Sequence, residues 1–296
     1  MRSQAMFFQR RAGEALADPQ LQKNFTGLKD KFVGMRARAV DAYGAYGKAD
    51  FEALRDAGQA VRDRVLKDLD IWLELFEEKA TQRGASVLWA KDGREICEQV
   101  IAIARRHGVK KAIKSKSMLS EEAQLNVALT AAGIEPVETD LGEYILQISD
   151  NEPPSHILAP AAHKNLDEVA DLFAEKHGKP RKTEIPALTR EAREVLREHF
   201  LTADMGISGG NFLIAETGSV ALITNEGNGR MVTTLPKVHI VITGIEKIVP
   251  TLEDFATLMR LLPRSATGQE ISNYVSVCTG TKGEADADGP EHTYLI

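Results

Sequence analysis

The chain predicts an α/β fold, a mostly parallel sheet covered by helices, with a β-hairpin or meander region and an α-helical N-terminal section. Three observations carry this. Short apolar runs of strand length alternate with amphipathic helical segments from Gly84 to His177, with short connections between them. Ahead of Gly84 no strand pattern occurs. Between Asp204 and Ile242 the texture becomes β-rich and is punctuated by glycine.

Residues 1–83 place apolar side chains at helical spacing: Phe32, Met35, Ala39 and Val40, then Val61, Val65, Leu66, Leu69, Trp72, Leu73 and Phe76. This is the α-helical section, and residues 84–296 form the α/β domain. The intervening Arg62, Asp63, Arg64, Lys67, Asp68 and Asp70 read as a solvated face. From Gly84, ASVLWA is a strand, and DGREICEQVIAIARRHG is a helix capped by Asp92 with Glu95 three residues on. KKAIKS is a strand, Ser120 caps a helix over SEEAQLNVALTAAG, and EPVET and SHILAP are strands. Asn165 with Glu168 opens the helix that ends at His177. LTREAREVLREHFLTA is helical. NFLIAE, SVALITNE, RMVTTL and KVHIVIT read as strands. Pro250 and Thr251 then start the helix TLEDFATLMRLL, and the tail holds one strand, an acidic Gly-rich turn and the apolar ending TYLI.

Composition narrows the function. In 296 residues, 37 Lys+Arg stand against 43 Asp+Glu, and the net charge of -6 argues against a nucleic-acid surface. No apolar run approaches a membrane span, and the charged opening MRSQAMFFQRRAGEALADPQ lacks a signal-peptide pattern, so a cytoplasmic protein is expected. Cys97 and Cys278 stand alone, without a CxxC or a neighbouring His, so no metal or cluster site is expected within this chain.

Candidate chemistry gathers around three glycine-bearing loops, GISGGN, ETGS and NEGNGR, where successive N–H groups can converge on an anion. The alternative is that the glycines only make tight hairpins. None matches a dinucleotide or P-loop fingerprint. Glu216, before Thr217, Gly218 and Ser219, can serve as a nucleophile or base, or can simply accept turn N–H bonds. Arg230, with Asn211, Asn225, Glu226, Gly227 and Asn228, can bind a carboxylate or sugar phosphate. Lys114, Lys116 and Ser117 lie at a strand end ahead of a helix, where α/β sheets bind anions; a solvated lysine run is the alternative. His156 and His163 flank a turn and read as structural, as does His239 in its strand. Cys97 reads as core and Cys278 as a strand end.

On KSKSMLSEE, SHILAPAAHKN, DMGISGGNFLIAETGSVALITNEGNGR, TTLPKVHIVITGIEKIVPTLED and RSATGQEISNYVSVCTG, the chain resembles the iron–sulfur-associated lactate utilisation protein B family over residues 20–296. The resemblance implies a lactate-utilisation (LUD) domain of the sugar-phosphate isomerase and coenzyme A transferase-like type. It also implies oxidation of L-lactate to pyruvate with two other lactate-utilisation proteins, and electron transfer through [4Fe-4S] clusters. Those clusters belong to a ferredoxin-like region that follows DGPEHTYLI in the family; here TYLI comes last, and the chain reads as continuing. The resemblance places Lys116 and Ser117, Glu216 to Ser219, and Asn225 to Arg230 in recurring motifs. By fold analogy Glu216 resembles the catalytic carboxylate of coenzyme A transferases, and a stand-alone enzyme of that kind is the alternative function.

Overall fold

A computed structural model describes residues 7–157 and 159–296. Of the opening segment, residues 1–6 lie outside the described residues. Helices α1 (Phe8–Ala17), α2 (Pro19–Asp41), α3 (Lys48–Lys67) and α4 (Leu69–Gln82) come first, as their periodicity predicts. Strand and helix then alternate: β1 (Ala85–Val87), α5 (Gly93–Arg106), β2 (Lys111–Lys114), α6 (Met118–Glu122), α7 (Leu125–Ala131) and β3 (Glu135–Glu138). Next follow α8 (Leu141–Ile148), α9 (Leu166–His177), α10 (Ile185–Thr202), β4 (Met205–Gly209), β5 (Phe212–Ile214) and β6 (Ser219–Thr224). The remainder is α11 (Asn228–Thr234), β7 (Val238–Ile242), β8 (Ile248–Val249), α12 (Leu252–Thr267), β9 (Tyr274–Cys278) and β10 (His292–Leu295).

The main sheet is wholly parallel, in the order β1-β10-β7-β4-β2-β3. A second, mixed sheet runs β8-β5-β6-β9. The hairpin predicted from the glycine-rich region therefore belongs to a separate layer. Alternate residues of the main sheet serve different cores, as the pleat requires. Met205, Ile207, Val238, Ile240, Ile242 and Tyr294 face α5 and α7. Val241 and Leu295 face α4 and the second sheet. Ile113 and Val137 pack under α8, α9 and α10.

Several local expectations change. RMVTTL lies within α11 and the stretch after it; Gly227, at φ 77°, starts that helix, and Gly229 fits closely over Leu222 and Thr224. SHILAP is a loop, Leu158 lying outside the described residues, because the Ser155 N–H and hydroxyl both turn back to donate to the Pro160 carbonyl. Most of GISGGN is the interior strand β4. The segment after β2 caps on Ser117 and not Ser120, and it breaks into α6 and α7 where Gln124 takes a left-handed φ of 55°. Helix α8 carries no element in the sequence reading. Asp92 caps α5 as expected, but Glu95 reaches back to Lys91 N–H. The Asn165–Glu168 capping box is complete. Arg62 donates to the Glu246 and Ile248 carbonyls and Arg64 pairs with Asp254, so part of the expected solvated face ties α3 to the second layer.

Gly206 shows how closely α11 packs on the main sheet. A Cβ there would stand 1.9 Å from the Val232 carbonyl oxygen of α11. Gly206→Ala is expected to cost about 1–3 kcal/mol by overpacking, read as a lower urea midpoint with an unchanged slope.

Candidate functional site

The carboxyl ends of β2, β4 and β7 open into a cleft of about 560 Å³. From β2 the chain turns to α6 on one face of the sheet, whereas from β4 it enters β5 and β6 on the other. Such a divergence leaves a crevice where α/β sheets bind ligands. Lys116, Ser117, Asn211, Asn225, Asn228 and Thr243 line it. Glycines allow the convergence: a Cβ at Gly209 would press on Ser117 Oγ at 3.3 Å, and one at Gly210 on Thr243 Oγ1 at 3.1 Å. The Thr243 hydroxyl donates to the Gly210 carbonyl (3.1 Å). Asn211 Oδ1 accepts from Ile223 N–H (2.9 Å). Buried Asn228 donates through Nδ2 to Thr139 Oγ1 (3.1 Å), whose own hydroxyl donates to the Lys114 carbonyl (2.7 Å).

Lys114 lies beneath the cleft and not in it. Its ammonium is 1% exposed and pairs with Glu138 at 2.6 Å, while Asn126 Nδ2 donates to the same oxygen at 2.7 Å. A charge so neutralised is a support for the site and not a contact for an anion. Lys116, two residues on, is half-buried, and no carboxylate of the described residues lies within ion-pair distance.

Acids crowd the same rim. Asp140 caps α8 through the Gly142 and Glu143 N–H groups, and Glu226 accepts from Leu141 N–H (3.1 Å). Partial burial and the nearby Asp140 raise the Glu226 carboxyl above its usual range. Glu143, on the first turn of α8, is buried. Burial first, then contact with Glu121 and the charges of Glu138 and Asp140, pushes its carboxyl up to about 10, so it is a neutral acid at pH 7.

The remaining candidates sit elsewhere. Glu216, Thr217, Gly218 and Ser219 form the turn of the β5–β6 hairpin, at its far end from Asn211 and Asn225. Glu216 accepts from Leu252 N–H at the start of α12 (2.9 Å), and Gly218, at φ 67°, packs on the Lys79–Ala80 backbone. Thr217, Ser219 and Thr279 link their hydroxyls. Arg230 is exposed, with its guanidinium 5.5 Å from the Tyr274 ring centroid, and Gly227 packs by the same ring. His163 bonds Ser155 and Glu152, His156 lies stacked on Phe32, and His239 bonds Ser208 in the sheet. Sequence reasoning missed Thr139, Asp140, Glu143 and Thr243, which share no glycine motif; three of them lie within two residues of a strand's carboxyl end, and that position was the available signal.

A cluster does not fit these residues. Cys97 is buried against the Ala123 carbonyl, Cys278 ends β9, and no group of three or more His, Cys, Asp or Glu suited to a metal occurs among the described residues. No helix of the described residues is long and apolar enough to cross a membrane.

A family model described as the LUD domain matches residues 73–296. Lactate utilization protein B of Lysinibacillus sphaericus is 42% identical over 289 residues, covering 98% of this chain and 60% of that protein. The protein of the same name from Bacillus licheniformis is 46% identical over 263 residues (88% and 54%), and that from Bacillus subtilis 41% over 289 (98% and 59%). The chain thus spans well under two thirds of these relatives' length. Among solved structures, a DUF162 family protein from Deinococcus radiodurans aligns with a TM-score of 0.43 and 16% identity, over 77% of this chain and 97% of that one.

Two stability measurements check the electrostatics. Lys114→Met strands the buried Glu138 carboxylate and is expected to cost about 3–5 kcal/mol in denaturant titration. Because the folded chain holds the Glu143 proton that the unfolded chain releases above about 4.5, stability falls as pH rises past that value. Glu143→Gln removes this term: the variant should gain melting temperature relative to the parent at pH 8 and lose that gain at pH 4.

Proposed function

This chain belongs to the LUD-domain family, and from that premise we propose that it is the acid-holding domain of an L-lactate utilisation system. The observation that carries this reading is the half-buried, unpaired Lys116 ammonium at the carboxyl ends of parallel strands, ringed by Ser117, Asn211, Asn228 and the Gly209–Gly210 backbone. Lys116 with neutral hydrogen-bonding groups beside it, and with Lys247, Glu122, Asp140 and Glu246 elsewhere on the cleft wall, suits a small carboxylate. The names of the relatives supply lactate as the acid.

In this reading the system oxidises L-lactate to pyruvate together with two other lactate-utilisation proteins. Loss of two electrons and two protons converts the alcohol carbon to a ketone. Neither cysteine here suits a cluster, so the electrons are taken up outside these residues, by the iron–sulfur centres that the family resemblance implies. The part assigned to this domain is to bind and orient the acid.

The isomerase or coenzyme A transferase alternative depends on Glu216, which lies at the far end of the hairpin and is engaged by α12. No observation favours it over the cleft. Calorimetric titration with L-lactate and pyruvate tests the choice. Lys116→Ala is expected to weaken binding at least tenfold, and Glu216→Gln to leave it unchanged. Binding that survives Lys116→Ala and is lost in Glu216→Gln would reverse the assignment.

A further inference from the structure

Helix α10 carries a stripe of cations that the fold leaves without counter-ions. At about 100° per residue, Pro186, Arg190, Arg193, Arg197 and Leu201 fall within about 80° of one another. All five are exposed, and a shallow open hollow of about 690 Å³ runs along this face. None of the three guanidinium groups has a carboxylate within ion-pair distance among the described residues.

The cations flanking the helix are engaged. Lys179 pairs with Glu194, Arg181 with Asp167 and Asp171, and Lys182 with Glu191. Glu194, the acid that borders the stripe, is thereby taken up; Glu198 lies on the adjoining side of the helix, and Glu184 precedes it. Arginines at i, i+3 and i+7 repel one another along a helix, a cost that no ion pair in the chain offsets. The stripe is also no by-product of a basic chain, whose net charge is -6.

A matching surface lies in the connection between β9 and β10. Glu284, Asp286 and Asp288 fall within five residues there, all exposed and none in an ion pair among the described residues. Asp286 accepts from Gly283 N–H, and the adjacent Lys282 is paired with Glu291. Ala285 and Ala287 separate the acids, so no bulky side chain holds the carboxylates away from a facing surface. Within one chain the two surfaces stay apart. Helix α10 packs under β2 and β3 at one edge of the main sheet, whereas the acidic loop leads into β10, next to β1 at the other edge.

We propose that α10 is a docking face for a second copy of this chain, the arginine stripe of one copy receiving the 284–288 loop of the next. Three carboxylates on a short loop match three guanidinium groups, while a nucleic acid or an anionic membrane would bring a long array of negative charge against an acidic chain. The contact is head to tail, so association continues beyond a dimer unless the arrangement closes into a ring. Surface ion pairs are individually weak and screened by salt, which makes the assembly dependent on concentration and ionic strength.

Sedimentation velocity of the full chain tests this. In about 50 mM salt the weight-average sedimentation coefficient is expected to rise with protein concentration, and in about 500 mM salt to fall back to that of the monomer. The triple variant Arg190→Glu, Arg193→Glu, Arg197→Glu should stay monomeric in low salt, and so should Glu284→Lys, Asp286→Lys, Asp288→Lys. Mixed one to one, the two variants should associate again, because each then meets a surface of opposite sign; recombination also shows that both are folded. A parent chain that stays monomeric in low salt, a measurement that needs no variant, overturns the inference. So do oligomers that survive the arginine variant, or a pair of variants that fails to recombine. The acid-holding reading of the cleft stands or falls separately, by titration.

Discussion

A buried ion pair between neighbouring parallel strands holds the rim on which the rest of the site is built. Lys114 and Glu138 are partners in the β2–β3 register and the last residues of their strands, and their side chains meet at 2.6 Å with almost no solvent contact. Desolvating two such charges is expensive, and their attraction offsets that only when the geometry is held and further hydrogen bonds are made. Asn126 from α7 provides one, and Thr139 closes the backbone side by bonding the Lys114 carbonyl. A slip of one residue between β2 and β3 would separate the charges and turn both side chains to opposite faces. The pair thus fixes where Ser115 to Ser117 and Thr139 to Asp140 leave the sheet. Those two exits carry Lys116 and the cap of α8.

The other wall of the cleft depends on contacts far apart in the chain. Strand β10 lies between β1 and β7, so residues 292–295 separate strands that come more than 50 residues earlier. Ile296 N–H donates to the Val241 carbonyl, and Thr243 N–H donates to the Ile296 carbonyl. Thr243 in turn anchors Gly210. The conformation of the β4 exit therefore answers to the closing strand of the sheet. Non-local pairing of this kind is slow to form, because loop-closure entropy precedes the contacts that offset it.

What could be read in advance follows from how local the deciding interaction is. Asp92, Asn165 and Thr251 cap their helices through neighbours three residues away, and those boundaries were legible. RMVTTL has the composition of a strand, yet it is helical because α11 must pack on Gly206 of β4, a contact across the fold. The Gly218 turn and the Gly209–Gly210 pair look alike in sequence. One fits against α4 and the other opens the cleft, a difference set by tertiary neighbours alone. Lys114 and Lys116 are similar in the same way: β2 pleat and register bury the first on Glu138, and the second falls past the strand end.

The acids around the cleft set the charge that surrounds Lys116. Asp140, Glu226 and Glu246 would oppose an anion if their charges were free to act on it. Asp140 is committed to the N–H groups of α8 and Glu226 to Leu141 N–H. Glu246 is paired with Lys247 at 3.1 Å, and burial keeps Glu143 neutral at pH 7. Those four carboxyls are each engaged by a local donor, cation or proton, whereas Glu122, on the same cleft, has no such partner among the described residues, and Lys116 has no carboxylate within ion-pair distance. In the reading proposed above, such a rim would favour a monocarboxylate over a phosphate, and the balance comes from the protonation and pairing of the acids more than from an excess of basic residues.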